Sequence, residues 1–163
     1  MIRHANHADL PALLPLAKGI HALSTVTYYG QRKEGEPGGW NPGTMSAYLA
    51  GFIDHEDMLC VVADCKHGLV GFALAVVAPI HDDPRATLCQ EAAIWTDPEF
   101  MGIGLGAELV DAIEEFAKSK GCEMVMFGTN RSMNPRAVGA LYRSLGFSEI
   151  GRLYGKRLET CHH

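Results

Sequence analysis

The sequence predicts a mixed α/β fold in which helices cover both faces of one central sheet, built as a single domain over residues 1–163. Three apolar, β-like segments follow one another at 58–63, 69–77 and 87–96 with short polar connections, as antiparallel strands do. Helices and strands then alternate, which gives the element order β-α-α-β-β-β-α-β-α-β. A chain of 163 residues also has the length of one domain.

The first third of the chain is predicted to form a short strand, two helices and a long loop. Residues 1–3 can pair at a sheet edge, and Asp9 then has the side chain of a helix N-cap. Apolar residues recur at helical spacing after it, and Pro15 is expected to bend that helix. Glycines and prolines between residues 24 and 44 predict a long loop, and a second helix is expected at 44–53.

The remaining elements follow from similar signals. Residues 64–68 predict a hairpin turn between the first two central strands. A strong amphipathic helix is predicted at 105–120, and it ends at Gly121, because glycine is the usual residue after a helix C-terminus. A buried strand, a helix and a final strand are expected at 122–127, 135–145 and 147–158. Gly151 or Gly155 is expected to interrupt the last strand.

Composition and charge exclude several classes of protein. Lys and Arg total 14 against 19 Asp and Glu, and the basic residues are scattered, so no nucleic-acid partner is expected. No run approaches the roughly 20 apolar residues of a transmembrane helix. The first residues lack the apolar centre of a signal peptide. We therefore expect no membrane partner and a cytoplasmic location. The five cysteines lack the paired spacing of a metal site, so no metal is expected.

The most informative segment is a glycine-rich turn between the strand that ends at Thr96 and the helix that begins at Leu105. Gly102, Gly104 and Gly106 alternate there, so successive backbone N–H groups can converge at the positive end of the helix dipole. Such a site suits a diphosphate. A glycine-rich turn that binds nothing is the alternative. The spacing fits neither a nucleotide P-loop nor the glycine turn of a dinucleotide-binding βαβ unit.

Two motifs in this order resemble the GNAT superfamily of N-acetyltransferases. The first is the strand followed by Pro98 and the three alternating glycines. The second is the segment 134–147, which reads Asn-Pro-Arg-Ala and then Leu-Tyr-Arg-Ser-Leu-Gly-Phe. The resemblance covers nearly the whole chain and implies a mixed, largely antiparallel sheet of six to seven strands, splayed between the fourth and fifth. It also implies transfer of the acetyl group of acetyl-CoA to a primary amine, by direct attack in a ternary complex.

The resemblance implies which residues bind acetyl-CoA. The backbone of Ile94, Trp95 and Thr96 would hydrogen-bond the pantetheine arm like an added strand. Asn134 would contact the cofactor, and Tyr142 would lie near its sulfur. The turn would bind the diphosphate through residues Met101, Gly102, Ile103, Gly104, Leu105, Gly106 and Ala107.

Two positions depart from the family pattern. Met101 stands where Gln or Arg is usual, and Asn134 precedes Tyr142 by eight residues instead of seven. These departures leave open an alternative hypothesis, in which the chain is a non-catalytic acyl-CoA-binding sensor domain of the same fold.

Two side chains are candidates for proton transfer. An amine attacks a thioester only when it is unprotonated, so the reaction needs a base. Glu91 is the candidate base, because it lies among apolar residues five positions before Thr96 and a buried carboxylate is costly unless it is paired or used. The alternative is that Glu91 faces solvent. Tyr142 is the candidate acid for the leaving thiolate, and a core position on its helix is the alternative.

The acceptor amine, a small molecule or a protein, is left open by the sequence. Four residues are candidates for contact with it: Tyr28, Tyr29, Trp40 and Asn130. The oligomeric state is also open, and the resemblance adds a homodimer to the states to be tested, since GNAT proteins often form one.

Overall fold

A computed structural model describes residues 1–30, 32–81 and 83–158, with the side chains of residues 25–29 excepted. This part of the chain contains five strands and four α-helices. The strands are β1 (Ile2–His4), β2 (Met58–Cys65), β3 (Gly68–Ile80), β4 (Asp83–Thr96) and β5 (Met124–Met126). The helices are α1 (Leu10–Tyr29), α2 (Pro42–Asp54), α3 (Leu105–Ser119) and α4 (Pro135–Ser144).

The strands form one sheet in the order β1-β2-β3-β4-β5. The first three pairings are antiparallel, and β4 and β5 are parallel. The parallel ladder is short. It joins Leu88–Gln90 to Met124–Met126, whereas β4 continues to Thr96. The prediction of a mixed, largely antiparallel sheet is therefore confirmed, and the ladder between the fourth and fifth strands ends well before β4 does.

One face of the sheet packs against α3. Successive side chains of a strand point to opposite faces, and Val61 of β2 and Ala73 of β3, which are register partners, share this face. They lie in one buried cluster with Leu109 and Ile113 of α3. The apolar residues of α3 recur at positions three and four apart, so the helix buries a single stripe.

The opposite face packs against α1. Phe72 of β3 and Trp95 of β4 are register partners, so their side chains share that face, and both are buried. Gly19 of α1 lies against the Trp95 ring so closely that a Cβ added to it would lie 2.8 Å from Trp95 Cζ2. Helices therefore cover both faces of the sheet, as predicted.

We expect Gly19→Ala to lower the free energy of unfolding by about 1–3 kcal/mol, because the added methyl group overpacks the buried Trp95 ring. Gly51→Ala is the matched control, since Gly51 lies in α2 and a Cβ there would meet nothing within 4 Å. The control should gain about 0.5–1 kcal/mol from helix propensity. Urea unfolding of both variants measures the difference, and equal stabilisation of the two would contradict the close contact.

An ion-pair network ties β1 to the start of α1. Arg3 donates two hydrogen bonds of 2.8 Å to Asp9 and one of 2.9 Å to Asp64. The bonds from Arg3 to Asp9 lower the pKa of Asp9, which also accepts the backbone N–H of Asn6. Asn6 caps the short 3-10 turn at His7–Asp9 that leads into α1, so the cap lies three residues before the predicted one.

The long loop predicted for residues 24–44 is shorter than expected. α1 continues to Tyr29, and α2 starts at Pro42 after its cap at Asn41. Residues 25–29 are β-branched or aromatic, and such residues weaken a helix pattern without preventing a helix. Gly30 follows with a φ of +71°, a conformation that glycine adopts readily at the end of a helix.

The described sheet has five strands, so the expected count of six to seven is not confirmed. The final strand predicted at 147–158 is wrong, because this segment has no regular secondary structure. Gly151 and Gly155 place no side chain on a sheet and lose more backbone entropy on ordering than other residues. The strand predicted at 122–127 is also shorter and less buried than expected, since Met124 is 45% exposed. Four apolar residues of the irregular segment are exposed, Ile150, Leu153, Tyr154 and Leu158, and Phe147 is partly buried.

The chain divides into two compact units. Residues 1–20 and 41–128 form the first, which contains the whole sheet with α2 and α3. Residues 21–40 and 129–163 form the second, which contains α4. The single domain over residues 1–163 stays a prediction.

Candidate active site

β4 contains a β-bulge at Ala92. Leu74 of β3 pairs with Ala93, and the next residue, Ala75, pairs with Glu91, so Ala92 is the extra residue of β4. Bulges twist a strand, redirect its side chains and are frequent beside active sites. The bulge therefore separates the strand into a part that carries Glu91 and a part that ends at Thr96.

Glu91, the predicted base, lies where the ladder between β4 and β5 ends. Its Oε2 atom accepts a hydrogen bond of 3.1 Å from the backbone N–H of Gly128, just beyond β5. Its side chain is partly buried. Burial raises the pKa of Glu91, and the hydrogen bond from Gly128 opposes that rise. A carboxylate whose pKa is raised is a stronger base, and the role of Glu91 as the base stays a prediction.

Tyr48 has a raised pKa, to which the charge of Glu91 contributes, and the sequence pattern did not single this residue out. It lies on α2 with half of its surface exposed, and its ring contacts Phe52 in a T-shaped arrangement with 5.0 Å between centroids. Burial of the hydroxyl and the negative charge of Glu91 both raise the pKa of Tyr48. The spacing of Tyr48 and Phe52, four residues apart on a helix, is the signal that could have predicted their contact.

The end of β4 has one free edge. Ile94, Trp95 and Thr96 pair with β3 on one side, and their other side has no strand partner in the described ranges. An unpaired strand edge presents backbone N–H and C=O groups that an extended ligand can bind as an added strand. The three residues predicted to bind the pantetheine arm therefore have backbone groups available on that edge.

The glycine-rich turn connects this strand end to α3. Asp97 accepts the N–H of Glu99 and starts a 3-10 turn at Pro98–Phe100. Gly102 and Gly104 then adopt positive φ angles of +83° and +91°, which most other residues avoid. An added Cβ would meet nothing within 4 Å at either glycine, so the turn faces open space.

The amino end of α3 leaves backbone donors available. Gly104 occupies the N-cap position and provides no side-chain hydrogen bond. Glu108 donates to the Gly104 carbonyl at 3.2 Å, so the amides of Leu105, Gly106 and Ala107 precede the first helical hydrogen bond. Free amides, the helix dipole and open space fit a diphosphate. Met101 and Ile103, which flank Gly102, are 55% and 70% exposed.

Two predicted contact residues in the second unit cap short helical elements. Asn134 has a φ of +48°, and its side chain accepts the N–H of Ala137 at 3.3 Å at the start of α4. Asn130 accepts the N–H of Ser132 at 3.0 Å before the 3-10 turn at Arg131–Met133. Capping explains both side-chain types, and the binding roles of these residues stay predictions.

Tyr142, the predicted acid, lies on α4 and is partly exposed. Its ring contacts Phe147 at 6.0 Å between centroids, and its carbonyl accepts the N–H of Phe147. Trp40 contacts His21 edge to face at 5.4 Å, which is how a loop aromatic anchors its own segment. The side chains of Tyr28 and Tyr29 lie outside the described residues.

Other chemistry receives no support from the described residues. Cys89 is fully buried, and burial raises the pKa of its thiol to about 11, which makes it a poor nucleophile. The described residues contain no group of three or more His, Cys, Asp or Glu side chains that could hold a metal ion. None of the described helices is long and apolar enough to cross a membrane.

Solved acetyltransferases share this fold. An aminoglycoside N-acetyltransferase in complex with CoA has a TM-score of 0.74 and 18% identity, over 98% of this chain and 95% of the other. A provisionally named acetyltransferase from Agrobacterium tumefaciens strain C58 has a TM-score of 0.73 and 23% identity, over 97% and 99%. An acetyltransferase of Trypanosoma brucei has a TM-score of 0.70 and 21% identity, over 97% and 99%. At these identities the similarity shows the fold alone.

The sequence itself carries the family assignment. A comparison with curated proteins finds no match. The family model described as the acetyltransferase (GNAT) family matches residues 25–147, which include the free strand edge, the glycine-rich turn and α4. Because this match spans most of the chain, the protein belongs to the GNAT acetyltransferase family.

Proposed function

We propose that the protein is an N-acetyltransferase that moves the acetyl group of acetyl-CoA to a primary amine, by direct attack in a ternary complex. Acetyl transfer follows from the family. The observation that carries the cofactor assignment is the set of free amides at the amino end of α3, beside the free edge of β4. The amides of Met101–Ala107 bind the diphosphate, and the backbone of Ile94–Thr96 binds the pantetheine arm.

Glu91 acts as the base in this proposal. A protonated amine gives one proton to the Glu91 carboxylate, so an N–H bond breaks and an O–H bond forms. The freed lone pair then attacks the thioester carbonyl, whose oxygen a backbone N–H on the β4 edge can polarise. A C–N bond forms and the C–S bond breaks, the leaving thiolate takes a proton from the Tyr142 hydroxyl, and the second proton of the attacking nitrogen returns to the Tyr142 oxygen. Holding the amine and the thioester in contact supplies much of the rate, since effective molarities lower a barrier by several kcal/mol. The raised pKa of Glu91 supports this role.

Tyr142 acts as the acid in this proposal and protonates the leaving thiolate. The role comes from the family motif and from the chemistry of a phenol, whose proton suits a thiolate. We expect Tyr142→Phe to lower kcat by about tenfold to a hundredfold, at the low end of what one acid or base supplies. The Kd for acetyl-CoA should change less than threefold. Steady-state kinetics and calorimetry measure the two, and an unchanged kcat would contradict the assignment.

The test of the proposed function combines calorimetry with acetyl-CoA and a thiol-release assay over a panel of amines. The panel includes aminoglycosides, the acceptors in the name of one structural neighbour, together with polyamines, amino acids and peptides. Binding with turnover supports the enzyme. Binding without turnover favours the sensor hypothesis, and no binding at all would contradict both. Mass spectrometry of the purified protein, which detects retained CoA, is the quickest first experiment.

A further inference from the structure

The ladder between β4 and β5 ends one residue before Glu91. Its last pair joins Gln90 to Met126, and the chain after Met126 has no regular secondary structure as far as Asn130. Backbone N–H groups beyond the end of a ladder need another acceptor. The N–H of Gly128 donates to a side-chain atom, Oε2 of Glu91, at 3.1 Å. A carboxylate therefore joins β4 to the chain beyond β5 at the point where the two backbones separate.

This hydrogen bond engages one of the two carboxylate oxygens. Among the residues that the structure describes, none donates to Oε1 of Glu91. The register sets Glu91 opposite Ala75, which belongs to the buried cluster under α3, and register partners share a face of the sheet. Apolar surroundings of this kind offer few other donors. The two oxygens therefore differ, because Oε2 is held and Oε1 keeps its lone pairs for another partner.

A glycine at position 128 suits this contact. A Cβ added to Gly128 would lie 3.8 Å from Oε2 of Glu91, and apart from its chain neighbours no other described atom would come within 4 Å of it. The backbone N–H, and not a packed side chain, thus joins the two residues. Hydrogen bonds to a charged acceptor are stronger than those to a neutral one, so this bond favours the ionised carboxylate. It opposes the rise that burial causes in the pKa of Glu91.

We propose that Gly128 is a positioning residue for the base: its backbone N–H fixes Oε2 of Glu91, so that Oε1 takes the proton of the acceptor amine. This inference rests on the proposed function. One N–H bond of the ammonium ion breaks, an O–H bond forms at Oε1, and the electron pair stays on the nitrogen, which then attacks the thioester. The bond from Gly128 is kept throughout. A carboxylate held at one oxygen presents the other in one direction, and such orientation lowers the barrier to reaction.

The first test determines whether the bond exists in solution. In a pH titration followed by NMR, the carboxyl carbon of Glu91 and the amide of Gly128 should report the same midpoint, because protonation of the acceptor changes the hydrogen bond. Glu91→Gln assigns the carboxyl signal and should abolish the titration of the amide. A Gly128 amide that does not follow the carboxyl titration would overturn the proposal.

The second test removes the donor alone. Gly121 precedes Cys122, so a recombinant thioester of residues 1–121 can be ligated to a synthetic peptide of residues 122–163 without a change of sequence. Glycolic acid in place of Gly128 replaces its N–H by an ester oxygen. We expect the midpoint of the Glu91 titration to move about one pH unit higher, since the charged form loses a donor. The protein ligated with all its amides is the parent.

An ester at Gly151 is the matched control. Gly151 is exposed in the irregular segment, and a Cβ there would meet nothing within 4 Å. Its ester makes the same chemical change outside any described helix or strand, and should leave the Glu91 midpoint and the rate at parental values. A shift of the same size in both esters, or no shift in the Gly128 ester, would overturn the proposal.

The kinetics separate positioning from basicity. A higher pKa alone makes Glu91 a stronger base, which would maintain or raise kcat above the acidic limb of the pH profile. Loss of positioning acts in the other direction. We expect the Gly128 ester to lower kcat about tenfold while its acidic limb moves to higher pH, and KM for acetyl-CoA should stay within threefold. A parental or higher kcat in this ester would contradict the positioning role.

This proposal and the proposed function fail separately. Coincident titrations and a shifted midpoint in the Gly128 ester, in a protein that releases no thiol with any amine, would contradict the enzyme but keep the bond that holds the carboxylate. Turnover with a parental kcat in the Gly128 ester would keep the enzyme and remove Gly128 from its mechanism.

Discussion

Glu91→Gln is expected to lower kcat by about 10²- to 10⁴-fold, the range that a single general base contributes. Glutamine can still accept the N–H of Gly128 through its amide oxygen, so the geometry at the end of the β4–β5 ladder should persist. It cannot take a proton from the amine. The Kd for acetyl-CoA should therefore stay within threefold, because the proposed cofactor contacts lie on the β4 edge and the glycine-rich turn.

The pH dependence gives this prediction a second readout. Glu91 must be ionised to accept a proton, so activity is lost as pH falls through its pKa in the folded protein. That pKa is raised above the ordinary 4.5 of a glutamate, so the acidic limb of the kcat/KM profile should lie above pH 4.5 and should be absent in the variant. Glu115→Gln, which removes an exposed carboxylate paired with Lys118, should keep both the rate and the limb.

In the Glu91→Gln variant, the free energy of unfolding should rise although the activity falls. A carboxyl group whose pKa is raised on folding binds its proton more tightly in the folded state, so it destabilises the fold once the pH exceeds both pKa values. Glu91→Gln removes that penalty and should raise the free energy of unfolding at neutral pH. A variant with parental kcat and an unchanged acidic limb would remove Glu91 from the mechanism.

Gly104→Asp is expected to weaken acetyl-CoA binding by about a hundredfold relative to Gly104→Asn, or about 2.7 kcal/mol. Asn and Asp have the same shape, both tolerate the positive φ at this position, and both can cap α3. Only Asp adds a negative charge beside the proposed diphosphate. Like charges a few ångströms apart near a protein surface repel by several kcal/mol, which accounts for the expected size.

Two measurements complete the comparison. Isothermal titration at increasing salt should show the difference between the Asp and Asn variants shrinking, because ions screen the repulsion. Thermal unfolding should give similar Tm values for both, since each supplies a side-chain cap. If the two variants bind acetyl-CoA equally well, the amino end of α3 does not bind the diphosphate.

The sequence predicted the elements with strong local signals. The periodicity of α3 and the apolar runs of the central strands predicted those elements within a few residues, and the alternating glycines predicted the turn in which Gly102 and Gly104 have positive φ angles. These signals are local, since each depends on residues within one or two turns of chain. The roles of the named site residues stay predictions that the proposed experiments address.

The features that were missed depend on contacts between distant parts of the chain. The bulge at Ala92 is defined by the register of β4 against β3, and the sequence of β4 alone does not determine that register. The effect of the Glu91 charge on the pKa of Tyr48 depends on two residues that are 43 positions apart in the sequence. The strand predicted at 147–158 is wrong for a local reason, because its apolar residues do not alternate regularly and two glycines disfavour an extended strand.

The single extra residue in β4 has a consequence for how this strand tolerates change. Cys89 belongs to the buried cluster of α3, whereas Trp95 faces Gly19 of α1, although both positions are odd-numbered and a regular strand would turn them the same way. The extra residue, Ala92, therefore determines which face of the sheet the side chains of each half of β4 point towards. Deleting one residue there would turn the indole towards the wrong helix or reverse the carboxylate upstream, so this one residue fixes how Glu91 is oriented relative to the strand end at Thr96.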